Sequence, residues 1–163
     1  MLKIHVEPLK KESFAPYGAY TDFLHPDGYA LCGDLHHFFP DRLLQYASGP
    51  MGFSPISVKK PSRMVIDMLE YHTTTAEGIL PLNGDMILHV AQPSGGVPIP
   101  DQTHAFLVPR GTMVRINAGV WHLCPLPVDE QTLFCMIALP ECTYANDCTV
   151  VPMSAAQQFE IAY

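Results

Sequence analysis

With 48% hydrophobic and 15% charged residues, this chain of 163 residues carries enough apolar material to bury a core without staples, which excludes a disordered protein. Its net charge of -7, with no basic run longer than Lys10-Lys11 or Lys59-Lys60, argues against nucleic acid or an anionic membrane as partner. No stretch approaches the roughly 18 apolar residues of a membrane span, and Met1-Leu2-Lys3-Ile4-His5 does not read as a signal peptide, so a cytoplasmic protein is expected.

In chain order, the sequence predicts one domain over residues 1–163, with neither repeat nor linker. Leu2 to Leu9 alternates as a strand, and a short helix is predicted from Pro8 to Phe14. Residues 22–52 mix Gly, Pro, Asp and aromatic side chains and read as a long excursion over the domain. From Phe53 onward, short apolar runs recur at 53–58, 63–71, 78–82, 85–92, 104–109, 112–117, 120–126 and 131–139. A run roughly every ten residues predicts an all-β antiparallel sandwich or barrel. Leu82-Asn83-Gly84-Asp85 carries a two-residue hairpin signal between two of these runs. A short helix is predicted to close the chain from Met153 to Phe159. Sixteen prolines and eleven glycines leave little room for anything longer.

The five cysteines, Cys32, Cys124, Cys135, Cys142 and Cys148, form no CxxC pair, so neither a zinc knuckle nor a disulfide framework is predicted. Cys124 and Cys135 lie in apolar runs and read as reduced core residues. His89, inside the run Met86 to Val90, reads as a hydrogen-bonded barrel histidine.

Two groups of residues carry candidate chemistry. The first holds Glu70, His72, Glu77 and Gly84; the second, some forty residues later, holds Gly111, Asn117, Gly119 and His122. Residues two apart on a strand share a face, so Glu70 and His72 can enter one interior. Glu77 would re-enter after a turn, and His122 would arrive from a distant strand. Imidazole nitrogens and carboxylate oxygens suit a divalent transition metal such as zinc, manganese, iron, nickel or copper, and the donor types alone do not choose among them. Without a metal, the same four residues make an acid and base set. The spacing resembles the two-part metal motif of the cupin barrels, with Glu70 standing for the first His and Asn117 for the Pro. That resemblance implies a cupin-like antiparallel β-barrel, or double-stranded β-helix, with one or two short helices.

A closer resemblance runs along the chain. Ile4-His5-Val6-Glu7-Pro8-Leu9, Glu12, Phe14, Tyr17 and Gly18 look like the opening of the ureidoglycolate lyase family. The likeness continues through Leu69-Glu70-Tyr71-His72, Ile79 to Asp85, Ala105-Phe106-Leu107, Gly119-Val120-Trp121-His122 and Asp147-Cys148-Thr149-Val150. It implies a homodimeric enzyme of purine nitrogen recycling and allantoin degradation that cleaves ureidoglycolate to glyoxylate and urea. Glu70, His72, Glu77 and His122 would then be the catalytic residues, and the metal ligands if a metal binds. Carboxylate binding calls for a cation or backbone donors, for which Lys59, Lys60, Arg63, Arg110 and Arg115 are the nearby candidates. Arg115 alternates with Asn117, so the two are predicted to share a face. Trp121, the single tryptophan, reads equally as a substrate-pocket wall or a barrel plug. His36-His37 and His104 are weaker candidates for a pocket rim.

The chain also departs from the family pattern. The family commonly has His where Asn117 stands, a second His where Leu123 stands, an Asp-Arg pair within Met136-Ile137-Ala138-Leu139, and an amide where Glu77 stands. These changes keep two other readings open: a metal-dependent cupin lyase or isomerase of another hydroxy acid, sugar acid or sugar, and a small-molecule-binding cupin without catalysis.

Overall fold

A computed structural model describes residues 1–163. The first strand, β1 (Leu2–Pro8), leads into the single-turn helix α1 (Lys11–Phe14), which buries Phe14. β2 (Gly18–Asp22) follows, then β3 (Leu31–Gly33) and β4 (His36–Phe38), which form a separate exposed hairpin within the excursion. β5 (Met51–Lys59), β6 (Val65–Ile66), β7 (Met68–Tyr71), β8 (Glu77–Pro81) and β9 (Met86–Ala91) continue the chain. After them come β10 (Thr103–Val108), β11 (Thr112–Ile116), β12 (Trp121–His122), β13 (Leu126–Pro127) and β14 (Thr132–Pro140). A second single-turn helix, α2 (Thr143–Asn146), precedes β15 (Thr149–Pro152) and β16 (Phe159–Ala162). No helix is long and apolar enough to cross a membrane.

The strands build an all-β, cupin-like barrel from two sheets. One is antiparallel, in the order β2-β11-β8-β14-β5; the other, in the order β15-β7-β12-β9-β10-β1-β16-β6, carries β13 beside β9. In this second sheet β1 runs parallel to both β10 and β16, the exception to the antiparallel expectation. The larger sheet curls until its end strand, β6, runs on through Asp67 into β7, so each of its faces covers a separate core.

Strand β9 is the wall between those cores, which is why Met86-Ile87-Leu88-His89-Val90-Ala91 is buried along its whole length. Met86, Leu88 and Val90 face the barrel interior with Phe14, Ile79, Phe106, Val114, Ile116, Leu133, Cys135 and Ile137. Ile87 and Ala91 face the second core with Ile66, Leu69, Ala105, Trp121, Leu126, Phe159 and Ile161. Removing these side chains from water supplies most of the driving force, at about 25 cal/mol per Å² of apolar surface.

Three local expectations are corrected. Asn83-Gly84 does not close a hairpin, because β8 and β9 belong to different sheets and neither residue takes the positive φ that a tight hairpin turn requires. Asn83 instead clips the edge of β14, donating to the Thr132 carbonyl at 2.9 Å and accepting the Phe134 N–H at 2.7 Å. Met153 to Phe159 forms no helix. Its turn is closed by Gln157 and Gln158 N–H groups on the Ser154 carbonyl, and Phe159 begins β16, where its ring fills the second core. The only helix near the C-terminal end is α2. The third correction concerns His89, which is fully buried with neither ring nitrogen bonded.

Candidate active site and metal centre

Strand alternation delivers the four polar residues to one place. On β7, Leu69 and Tyr71 pack on the second core, so Glu70 and the following His72 turn into the barrel. Glu77 opens β8 on the same face as Ile79, and His122 on β12 lies opposite both Glu70 and Val90. Two glycines make the connecting turns possible. Gly111 (φ 82°) and Gly119 (φ 81°) occupy the left-handed region, and the Gly119 N–H donates to the His72 carbonyl at 2.6 Å.

Glu70, His72, Glu77 and His122 each present a donor atom within 4.8 Å of the others. One oxygen of Glu77, Oε2, meets His72 Nε2 at 2.9 Å and His122 Nε2 at 3.3 Å, and Glu70 Oε1 lies 3.9 Å from His122 Nε2. The opposite ring nitrogens are occupied. His72 Nδ1 donates to the Asp147 carbonyl at 2.8 Å and His122 Nδ1 to the Val120 carbonyl at 2.9 Å, which turns both Nε2 atoms inward. Three of the four side chains are almost fully buried, and Glu70, 13% exposed, is the most accessible.

The electrostatics of the group are coupled. Burial pushes the Glu77 carboxyl up, but hydrogen bonds and charge from His122 and His72 outweigh it and hold the group down at about 2. Burial also disfavours a charged His122, yet the bond and charge of Glu77, the Val120 carbonyl and Glu70 raise its pKa above the ordinary histidine value. The set fits a divalent metal. Two imidazole nitrogens and two carboxylates form a donor group of the kind transition metals take, and the His72–Glu77, His122–Glu77 and His122–Glu70 separations of 2.9, 3.3 and 3.9 Å are close to the roughly 3 to 4 Å between ligand atoms around one ion. Each imidazole also carries the outer hydrogen bond that fixes a metal-binding histidine.

The structure adds three residues to the site that the sequence reading did not place there. Cys148 Sγ donates to Glu70 Oε2 at 3.4 Å, and burial followed by the Glu70 charge pushes that thiol up to about 12, so it stays protonated. Tyr144 sets its ring edge-on to His72 at 6.1 Å between centroids, its hydroxyl pKa raised by burial, then by Glu77 and Glu70. Cys124 is half-buried near the group, its thiol pKa raised by burial and then by the Glu70 and Glu77 charges, and Cys135 is fully buried in the core as expected. All five cysteines are free.

Other predicted site residues lie elsewhere. Lys59 is exposed at the far end of β5, opposite Thr132. Arg115 and Asn117 do share a face, with Arg115 Nη2 donating to Asn117 Oδ1 at 2.9 Å, but it is the outer face of β11, where Nη1 donates to the Leu44 carbonyl at 2.8 Å. There Arg115 pins the excursion to the sheet, assisted by Gln45, whose amide donates to the Ala76 and Ala138 carbonyls. Arg63 is paired with Glu160 on the surface. Trp121 packs into the second core against Tyr71, with its indole N–H on Ser94 Oγ at 2.8 Å, so it stands on the opposite face of β12 from His122. His104 bonds Glu7 at the surface, and His36 and His37 lie on the exposed hairpin.

A family model described as ureidoglycolate lyase matches residues 1–160. The chain is similar to a ureidoglycolate lyase of Rhodobacter capsulatus, 33% identical over 143 residues that cover 84% of this chain and 86% of that one. A ureidoglycolate lyase of Pseudomonas syringae pv. syringae is 31% identical over 142 residues, covering 84% of this chain and 83% of its own. Among solved structures, a dTDP sugar isomerase from Desulfovibrio desulfuricans G20 aligns with a TM-score of 0.53 over 87% of this chain and 89% of that one, at 12% identity, a likeness of fold alone. The match across nearly the whole sequence, ending beyond the last cluster residue, means that this chain belongs to the ureidoglycolate lyase family.

Proposed function

We propose that this protein cleaves ureidoglycolate to glyoxylate and urea at the group formed by Glu70, His72, Glu77 and His122. The observation that carries the reading is the convergence of two inward-facing Nε2 atoms and two carboxylates inside a barrel of this family. His72, His122 and the deeply buried Glu77 would hold a divalent metal. Such an ion, when bound, supplies a Lewis acid for the substrate's hydroxyl and carboxylate oxygens. Glu70, the most accessible of the four, is placed to take the hydroxyl proton as a general base. As the carbon–oxygen bond becomes a carbonyl, the carbon–nitrogen bond breaks and its electron pair leaves on the ureido nitrogen. The protonated Glu70 then returns its proton to that nitrogen, releasing urea. The Cys148 thiol, bonded to the other Glu70 oxygen, restrains the carboxylate between the two transfers.

The same reading makes the substrate a small polar acid and places the reaction in purine nitrogen recycling and allantoin degradation in the cytoplasm. It also makes the protein a homodimer, supported by the apolar outer surface of the five-stranded sheet, where Phe53 and Phe134 are exposed.

The test is turnover of ureidoglycolate by untagged protein after loading with zinc, manganese, iron or nickel, followed by proton NMR. Equal amounts of glyoxylate and urea are expected. About one equivalent of metal is expected in the parent and none in a His72→Ala, His122→Ala double variant. Metal uptake without glyoxylate would discard ureidoglycolate as substrate, and equal metal in parent and variant would discard the metal centre.

A further inference from the structure

One short stretch after α2 reaches two of the four residues of the site, His72 and Glu70. The Asp147 carbonyl accepts the His72 Nδ1–H at 2.8 Å. The Asp147 carboxylate, more than seventy positions downstream in the chain, grips the loop between His72 and Glu77. It accepts the Thr73 N–H at 2.7 Å, the Thr74 N–H at 3.0 Å, the Thr74 hydroxyl at 2.8 Å and the Thr75 hydroxyl at 2.6 Å. The next residue, Cys148, meets Glu70, and β15 then pairs with β7 so that Val150 lies opposite Glu70.

Four donors on one carboxylate saturate it. Burial alone would raise its pKa, but the bonds from Thr75, Thr74 and Thr73 hold it down at about 2, so the grip is charged throughout the neutral range. Two of the donors are backbone N–H groups of an exposed loop outside the sheet ladders, which the carboxylate binds in place of water. The arrangement therefore couples loop geometry to ring geometry. Where the carboxylate goes, the carbonyl of the same residue goes too, and with it the acceptor for His72 Nδ1.

We propose that Asp147 is the positioning residue of the site, its carboxylate clasping Thr73, Thr74 and Thr75 so that its own carbonyl fixes the His72 ring with Nε2 facing Glu77. The inference deepens the reading of the group as a catalytic metal centre and rests on it. Without the clasp the ring loses its Nδ1 acceptor and is free to turn or to carry its proton on Nε2, where it blocks metal coordination.

The experiment compares the parent with Asp147→Ala and Asp147→Asn. The two backbone donors bond to different carboxylate oxygens, so the one amide oxygen of Asn keeps an acceptor for only one of them and Asn is a partial rescue. The first readout is the His72 Nδ1–H proton in the ¹⁵N-histidine NMR spectrum of metal-free protein. It is expected to be protected in the parent, lost to solvent exchange in Asp147→Ala and regained in part in Asp147→Asn. The second is cobalt(II) alone, titrated against a chelator. A fall in affinity of about ten- to a hundredfold, with a changed visible absorption band, is expected for Asp147→Ala.

A protected Nδ1–H and parental cobalt affinity in Asp147→Ala would overturn the proposal and leave Asp147 a loop tie. If Asp147→Ala fails to fold, Thr75→Val removes one bond at nearly constant volume. Weaker protection of the His72 proton in that variant supports the clasp, and an unchanged proton overturns it. If the parent neither binds cobalt nor turns over ureidoglycolate, the functional reading fails, while the Nδ1–H signal still decides the role of Asp147.

Discussion

Replacing His89 by Leu is expected to stabilise the protein and remove part of its acid sensitivity. His89 sits on β9 opposite Ala105, fully buried, edge-on to Phe159 at 6.4 Å between ring centroids, with both nitrogens unbonded. Burying a polar group without a partner costs about 1–3 kcal/mol, and Leu fills a similar volume with apolar atoms. At about pH 8 a gain of roughly 1–3 kcal/mol is expected, or some 2–4 °C in Tm per kcal/mol for a chain of this size.

The pH dependence has a definite sign. Burial, then the neighbouring charge of His122, lowers the His89 pKa from 6.5 to about 3, so the folded state holds it neutral. A base depressed in this way contributes stability that is complete above the unfolded value and is lost as pH falls toward the folded one. Between about pH 8 and pH 5 the loss from this one residue is about 2 kcal/mol, which His89→Leu should abolish. His122 acts in the opposite sense, its raised pKa adding stability at low pH that is lost as pH rises through the folded value, so the comparison must be between variant and parent at each pH. Urea unfolding followed by fluorescence of Trp121, the only tryptophan and a buried one, reports both effects. A variant less stable than the parent at about pH 8, with the same loss on acidification, would refute the reasoning and show that the imidazole is hydrogen-bonded in solution.

Glu77→Gln removes the charge that both imidazoles share, and glyoxylate release is expected to fall at least about a hundredfold, with weakened cobalt binding. In metal-free protein, Glu77 also contributes about 3 kcal/mol that is present above its unfolded value of 4.5 and lost as pH falls through about 2, so the Gln variant should unfold more readily at neutral pH by that order. Lys59→Ala is expected to leave kcat/KM within about twofold, because Lys59 is exposed and remote; a tenfold rise in KM would contradict the facing of β5. Arg115→Met should instead lower stability by about 1–3 kcal/mol in urea titration by releasing Leu44 and Asn117, with a smaller effect on turnover. Gly119→Ala forces a β-carbon onto a residue at φ 81° whose N–H holds the His72 carbonyl, for an expected cost of about 1–2 kcal/mol and a loss of cobalt affinity in the same protein.

Local pattern in the sequence was enough for the barrel strands between β5 and β14 and for the four residues Glu70, His72, Glu77 and His122 that converge. Alternation along Leu69-Glu70-Tyr71-His72 and the run of small and apolar residues around Gly119 to His122 are local patterns, and a strand's period dictates which face each residue takes. Tertiary structure decided the rest. Asn83-Gly84 reads as a hairpin because the dipeptide favours one in isolation, yet the flanking strands find better partners in different sheets. His89 reads as a satisfied histidine because sequence shows its apolar neighbours and hides the absence of an acceptor across the ladder. Arg115 and Asn117 were correctly paired with each other, but which side of β11 holds the barrel depends on where Val114 and Ile116 pack. Asp147, Cys148 and Tyr144 lie far along the chain from His72, and only closure of β15 onto β7 brings them to it. Residue spacing fixes the facing of side chains within a strand; which strands become neighbours, and so which distant polar groups meet, is set by packing the whole chain at once.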